Sequence, residues 1–213
     1  MLLHANWLAH GWLTVATLLP GFTLAAQLTA TVTNNEGNPL ASAVVYLLPM
    51  GNLKLPAPRN AEIDQRNRMF EPEVSVVQAG ASVSFPNSDN IRHQVYSFSP
   101  AKTFNLKLYS GKPAAPVVFD KPGAVVLGCN IHDRMVAWVL VVDTPWFGRT
   151  DANGKVTLSA VPDGDYQLAA WHPGQRSELP AVPLSLRSEI SKKLILDAAP
   201  IVSSHARHDA MEH

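Results

Sequence analysis

A seven-residue segment, residues 129–135, holds three side chains that bind soft or borderline metal ions. Cys129 can supply a thiolate, His132 an imidazole nitrogen and Met135 a thioether sulfur. One short loop can wrap a single ion with all three, and the apolar runs on either side of the segment predict flanking strands. Sulfur and imidazole donors together select copper over magnesium, calcium or manganese. The segment therefore predicts a metal site on a loop between two strands.

Cys129 is the only cysteine of the chain, so an intramolecular disulfide cannot account for it. In an exported protein an unpaired thiol meets oxidants unless it is deeply buried or bound to a metal. Each residue also has a plainer interpretation: a lone cysteine is often a small buried hydrophobic residue, and Met135 could simply begin a core strand. The spacing of the three residues favours the metal site.

An electron-transfer copper site of trigonal His₂Cys geometry with a weak axial methionine needs a second histidine. Two of the eight histidines are plausible, His93 and His172. His93 follows a turn rich in Asn, Ser and Asp and begins an alternating segment, whereas His172 ends a predicted strand at a turn. The residues alone leave both open, although a strand-end histidine is more often a hydrogen-bonded residue than a ligand. Apart from His132, the others lie in the N-terminal leader or a polar tail: His4, His10, His205, His208 and His213.

A wider pattern around these residues resembles the type 1 copper motif of plastocyanin-like cupredoxins, and the short Cys-to-Met loop is most similar to that of amicyanin. Exported bacterial proteins described as methylamine-utilisation-like also resemble this chain. The resemblance covers roughly residues 60–143 and implies a Greek-key β-sandwich. The residues that carry it are Phe85, Asn87, Asp89, His93 and Val95, followed about 35 residues later by Cys129, His132 and Met135.

The resemblance implies that His93, Cys129 and His132 are strong equatorial ligands of one copper ion and that Met135 is the long axial ligand. It also implies a carrier of single electrons that meets a transient redox partner, such as a dehydrogenase or a cytochrome. We expect neither an enzyme nor a small-molecule substrate, because an axial methionine leaves no evident open coordination position. By the same resemblance, Asn87 would tie the His93 loop to the Cys129 loop.

Two positions depart from the family pattern. The family often has proline just before the second histidine, where this chain has Ile131, and an aromatic residue two positions before the cysteine, where it has Leu127. Neither position supplies a ligand, so the departures bear on the reduction potential and the rigidity of the loop.

Segments on both sides of the copper region resemble one carboxypeptidase regulatory-like, transthyretin-type β-sandwich. We predict that residues 27–50 and 146–199 form this discontinuous sandwich and that the cupredoxin domain, residues 60–143, is inserted in it. An insertion between neighbouring surface positions costs little extra loop entropy. The alternative is two consecutive sandwiches, with residues 27–48 supplying the first strands of the cupredoxin itself. The matching turns are residues 37–45, 150–154 and 161–166.

The two ends of the chain read as separate segments. Residues 1–26 contain an apolar run that ends in small residues, which predicts a signal peptide cleaved after Ala25 or Ala26 and a periplasmic protein. The same segment contains no Lys or Arg, so an uncleaved leader that holds the protein at a membrane is the alternative. We predict that residues 200–213 are a disordered tail.

The charge balance and the tail narrow the functions further. The chain has 17 basic and 17 acidic side chains and no basic run, which argues against a nucleic-acid partner. Two alternatives to electron transfer remain: copper trafficking or storage that uses the histidines of the tail, and a metal-free structural module of the envelope.

Overall fold

The computed structural model describes residues 26–113 and 115–201. The predicted all-β fold is confirmed, since the regular structure within these residues consists of strands. The strands are β1 Ala26–Asn34, β2 Val44–Pro49, β3 Ala61–Glu62, β4 Asp64–Arg66, β5 Met69–Glu71, β6 Val74–Gln78, β7 Ala81–Ser84, β8 His93–Ser99, β9 Lys102–Tyr109, β10 Val117–Phe119, β11 Gly123–Gly128, β12 Val136–Val142, β13 Phe147–Arg149, β14 Lys155–Val161, β15 Gly164–Trp171, β16 Val182–Leu186 and β17 Glu189–Leu196.

Strands from the two ends of the described chain build one sandwich, which we call the flanking sandwich. Its sheets have the orders β14-β1-β17 and β13-β2-β15-β16. The alternation of burial in β1 shows how its sequence fits the sandwich. Leu28, Ala30 and Val32 alternate with more exposed residues, so one face of β1 is buried. A single apolar cluster fills the space between the two sheets.

The middle of the chain builds a second sandwich, which we call the inner sandwich. Its larger sheet has the order β6-β12-β11-β8-β9, and the smaller one has the order β10-β7-β3. In β11, Val125 and Leu127 are fully buried while Val126 is exposed, as the period of two requires. Because β8 runs antiparallel to β11, the start of β8 and the end of β11 meet at one end of the sandwich, where the predicted ligands lie.

The two sandwiches contact each other through a small apolar cluster. Val44 of β2 packs with Val74, Leu140 and Val142 of β6 and β12. The Arg149 guanidinium also donates a hydrogen bond to the carbonyl of Val74. The division into domains with the boundaries given above stays a prediction, because strand pairing does not test whether either part folds alone.

The predicted signal peptide and tail fall almost entirely outside the described residues. Ala26 is described: it is the first residue of β1, is buried, and lies opposite Val161. Within residues 26–113 and 115–201, we find no helix whose length and hydropathy would allow it to cross a membrane.

Candidate metal centre

The loop that carries three of the predicted ligands joins two neighbouring antiparallel strands. Gly128, the last residue of β11, pairs with Val136, the first residue of β12. Two backbone hydrogen bonds shape the loop between them, from the N–H of His132 to the carbonyl of Cys129 at 3.3 Å and from the N–H of Met135 to the carbonyl of His132 at 2.9 Å. The predicted loop between strands is therefore present.

His93 reaches the same place from a different strand. It is the first residue of β8, and β8 pairs with β11 through Tyr96 and Gly128. The Sγ atom of Cys129 lies 3.9 Å from Nδ1 of His93 and 3.9 Å from Nδ1 of His132. The ring centroids of the two histidines are 5.0 Å apart. Of the two histidines that the sequence left open, His93 joins the cluster.

These three ligand atoms have the spacing that a single ion needs. All of them lie within 4.8 Å of one another. A borderline metal ion such as zinc binds sulfur at about 2.3 Å and imidazole nitrogen at about 2.0 Å, and the sum of these lengths exceeds the observed separation of sulfur and nitrogen. Cys129, His93 and His132 are therefore the residues that would hold one ion at this place. That these residues are ligands stays a prediction.

Burial differs across the cluster. His93 is 0% exposed and Cys129 is 3% exposed, whereas His132 is partly exposed. Water is thus kept from two of the three ligands, and the ring of His132 offers the side of the site that faces solvent. Burial, followed by the charges of His93 and Arg68, lowers the pKa of His132, against the opposite effect of Asp89. A lowered pKa favours the neutral imidazole, which is the form that binds a metal ion.

Met135 is buried next to the cluster. Its side chain is 1% exposed and belongs to the same apolar cluster as Cys129. Its position at the end of the loop agrees with an axial ligand and equally with a core residue, so the predicted role in metal binding remains a prediction.

Asn87 makes hydrogen bonds that differ from those expected. Its side-chain amide donates to the carbonyls of Ile91 and Tyr109, each at 2.9 Å, and its Oδ1 atom accepts the N–H of Asp89 at 3.0 Å. These bonds tie the His93 loop to the end of β9, whereas the resemblance implied a tie to the Cys129 loop. Asn87 thus fixes the shape of the loop that leads to His93, and its predicted role at a metal site stays a prediction.

Asp89 contacts a predicted ligand, and this contact could not be foreseen from the sequence. Its Oδ2 atom lies 2.7 Å from Nε2 of His93, four residues later, and its backbone follows directly from the Asn87 turn. Burial raises the pKa of Asp89, but hydrogen bonds from Arg68, His93 and Asn67 together lower it by more. The pKa of Asp89 therefore lies below its ordinary value. The only signal in the sequence was the spacing of an acidic residue four positions before a candidate ligand.

A second polar group missed by the sequence analysis lies beneath the His93 loop. The Tyr109 hydroxyl donates to the carbonyl of Phe85 at 2.5 Å and accepts a hydrogen bond from the Gln65 side chain at 2.5 Å. Burial raises the pKa of Tyr109 to about 12; the Gln65 hydrogen bond opposes this, and the charge of Cys129 adds to it. The phenol therefore stays protonated and holds β9 against the residues that lead into the loop.

His172, the other candidate, lies outside the cluster. Its Nδ1 atom accepts the N–H of Gly174 at 3.1 Å, and its side chain is 1% exposed. Its Nε2 atom makes no hydrogen bond of normal geometry within the described residues. The backbone N–H of His172 donates to Oε1 of Gln175 at 3.2 Å, so this strand end is hydrogen-bonded without a metal.

Comparison with known proteins gives partial likenesses to copper proteins. No protein-family model matches the sequence, and no curated protein matches it. A purple cupredoxin from Nitrosopumilus maritimus is 21% identical, with 38% of this chain and 99% of that chain covered and a TM-score of 0.35. A copper-containing nitrite reductase from Thermus scotoductus is 23% identical, with 44% and 25% covered and a TM-score of 0.37. Amicyanin from Paracoccus versutus is 15% identical, with 39% and 81% covered and a TM-score of 0.34.

Proposed function

We propose that this protein is a type 1 copper protein that carries single electrons between redox partners. The observation that supports the proposal most directly is the approach of Cys129 Sγ to the Nδ1 atoms of His93 and His132, each at 3.9 Å. Three ligand atoms converge from two separate parts of the chain, and the chain buries two of them.

The donor set favours copper chemically. A cysteine thiolate with two imidazole nitrogens and a thioether nearby suits copper, while zinc prefers a tetrahedral site and gains little from a thioether. Copper bound there would supply a one-electron couple between Cu(I) and Cu(II). Cys129 would bind as the thiolate. His93 begins β8 and Cys129 directly follows β11, so the sheet limits the movement of both residues, which would suit fast electron transfer.

The partly exposed ring of His132 marks the side on which a partner would exchange the electron. His93 and Cys129 are closed to solvent, so the shortest route out of the site leads through this ring. We expect a small, transient interface with a redox protein, because a carrier must release its partner after each transfer. In this proposal the chain is a carrier rather than an enzyme.

The remaining assignments belong to the same proposal. The flanking sandwich would correspond to the carboxypeptidase regulatory-like domain. This assignment is supported by the pairing of β1, which precedes the inner sandwich in the sequence, with β14 and β17, which follow it. A periplasmic location is proposed from the leader and from the single cysteine, which copper would protect from oxidation.

Copper titration and voltammetry test this function. We expect the full chain to bind one copper ion and to give one reversible one-electron wave. His93→Ala should abolish the wave, whereas the matched variant His172→Asn, which alters a buried histidine outside the cluster, should keep both the stoichiometry and the wave. Copper binding without a reversible wave would favour trafficking or storage, and no copper binding would favour a structural module.

A further inference from the structure

The Asp89 carboxylate lies between a metal ligand and a hairpin turn. Its Oδ1 atom accepts the N–H of Asn67 at 2.7 Å, and its Oδ2 atom accepts the N–H of Arg68 at 2.9 Å. The same Oδ2 atom lies 2.7 Å from Nε2 of His93. An ionised carboxylate only accepts hydrogen bonds, so Nε2 of His93 is the donor to Asp89. The other ring nitrogen, Nδ1, is then the one that faces Cys129.

The turn that donates to Asp89 has a backbone conformation that its residues rarely adopt. Asn67 and Arg68 have φ angles of 53° and 58°, and they connect Arg66 of β4 to Met69 of β5, which are paired. Asparagine tolerates this region, whereas arginine adopts it only at a steric cost. Two charge-assisted hydrogen bonds to one carboxylate offset that cost.

The hairpin itself is fixed to the loop that carries Asp89. Gln65 in β4 donates its N–H to the carbonyl of Pro86 at 3.0 Å and accepts the N–H of Ser88 at 2.9 Å. Phe70 in β5 is 1% exposed and belongs to the apolar cluster of the inner sandwich. The two N–H donors of the turn therefore have a fixed position relative to Asp89.

We propose that the β4–β5 turn is a positioning element for His93, which acts through Asp89 and sets both the proton location and the orientation of the imidazole ring. This inference rests on the proposed copper site, because the ring is held so that its Nδ1 atom meets the ligand sulfur. Asn67 and Arg68 act on Asp89 through their backbone N–H groups.

Removing the Asp89 carboxylate tests whether Asp89 positions His93. In the wild type, three N–H donors share the two carboxylate oxygens of Asp89, whereas Asp89→Asn leaves only one oxygen to accept them. We therefore expect copper affinity to fall about 10–100-fold, the range for losing a group that orients a metal ligand. The reduction potential should rise, because a carboxylate that accepts the Nε2 proton makes the ring a stronger donor and favours Cu(II). A purely structural residue would lower stability without this directed change in potential.

Moving the β4–β5 turn while Asp89 is kept tests whether the turn positions Asp89. Two glycines inserted between Asn67 and Arg68 separate their N–H groups, and we expect weaker copper binding and a higher potential, as in Asp89→Asn. Two glycines inserted between Glu36 and Gly37, in an exposed turn of the flanking sandwich, are the matched control and should change neither.

The outcomes separate this inference from the proposed function. Nitrogen NMR of the metal-free protein should show His93 protonated at Nε2 in the wild type and a mixture of tautomers in Asp89→Asn, whether or not copper binds. If the wild type binds no copper, the function fails, and the NMR result still decides the positioning role. If Asp89→Asn does not fold, the insertion variant decides it. If the folded variants keep the copper affinity, the reduction potential and the His93 tautomer of the wild type, the proposal is wrong.

Discussion

The sulfur of Cys129 lies 3.9 Å from Nδ1 of His93, although 36 positions separate the two residues in the sequence. The pairing of β8 with β11, in which Tyr96 faces Gly128, brings the two residues to the same end of the sheet. Side chains alternate between the faces of a sheet, so a slip of one residue in this register would turn one ligand away from the other. The site therefore depends on sheet register as much as on its own residues.

Gly128 has no room for a side chain. A Cβ atom there would lie 2.9 Å from both Cζ and Oη of the Tyr96 ring. We expect Gly128→Ala to lower the free energy of unfolding by about 1–3 kcal/mol, the usual cost of overpacking. Urea denaturation of the metal-free protein measures it. In a Tyr96→Ala background the loss should be much smaller, and an equal loss in both backgrounds would contradict the steric explanation.

Met135 should tune the site without being required for it. Met135→Leu conserves volume and should cost less than about 1.5 kcal/mol of stability. We expect copper to remain bound, with a higher reduction potential because a donor that favours Cu(II) is gone. Met50→Leu, at an exposed methionine far along the chain, is the control. Voltammetry decides the point, and a potential identical to that of the wild type would argue against an axial thioether.

His172 should make stability depend on pH. Burial lowers its pKa from the ordinary 6.5, against the opposing effect of the Ala41 backbone. The unfolded chain then binds the proton more tightly, so stability is complete above pH 6.5 and falls as the pH drops toward the lower pKa of the folded state. His132 has a lowered pKa too, but its contribution cancels when the wild type is compared with His172→Asn. Thermal denaturation from pH 8 to pH 5 should show a smaller loss in the variant, and parallel curves would refute this role.

Copper stoichiometry should not depend on the C-terminal tail. A chain that ends at Ile201 keeps His93, Cys129, His132 and Met135, so we expect it to bind one copper ion with wild-type affinity. Elemental analysis and a competition titration would check this. A drop in stoichiometry or affinity would favour the trafficking or storage alternative, in which His205 and His208 capture the ion.

The parts of the site that are local in sequence could be predicted, and the parts that depend on distant contacts could not. Cys129, His132 and Met135 are close along the chain and lie between strongly alternating apolar runs, so both the loop and its flanking strands were predictable. The residues alone left His93 and His172 open, because nothing local shows which strand end lies beside residue 129.

Asp89 and the β4–β5 turn show most clearly what the sequence does not reveal. Their contacts join residues 67 and 68 to residue 89 through backbone N–H groups, which leave no mark on side-chain pattern. The positive φ of Arg68 goes against the usual preference for glycine or asparagine in such turns. The Tyr96 ring over Gly128 likewise requires the register of two strands that are distant in the sequence.

The absorption spectrum of the copper-loaded protein tests the central claim most directly. If Cys129 binds Cu(II) as a thiolate beside His93 and His132, the wild type will show an intense visible charge-transfer band from sulfur to copper. Cys129→Ser will lack that band even if it still binds the ion. A wild-type protein that binds copper stoichiometrically and stays colourless, or a Cys129→Ser variant that keeps the band, would contradict the account.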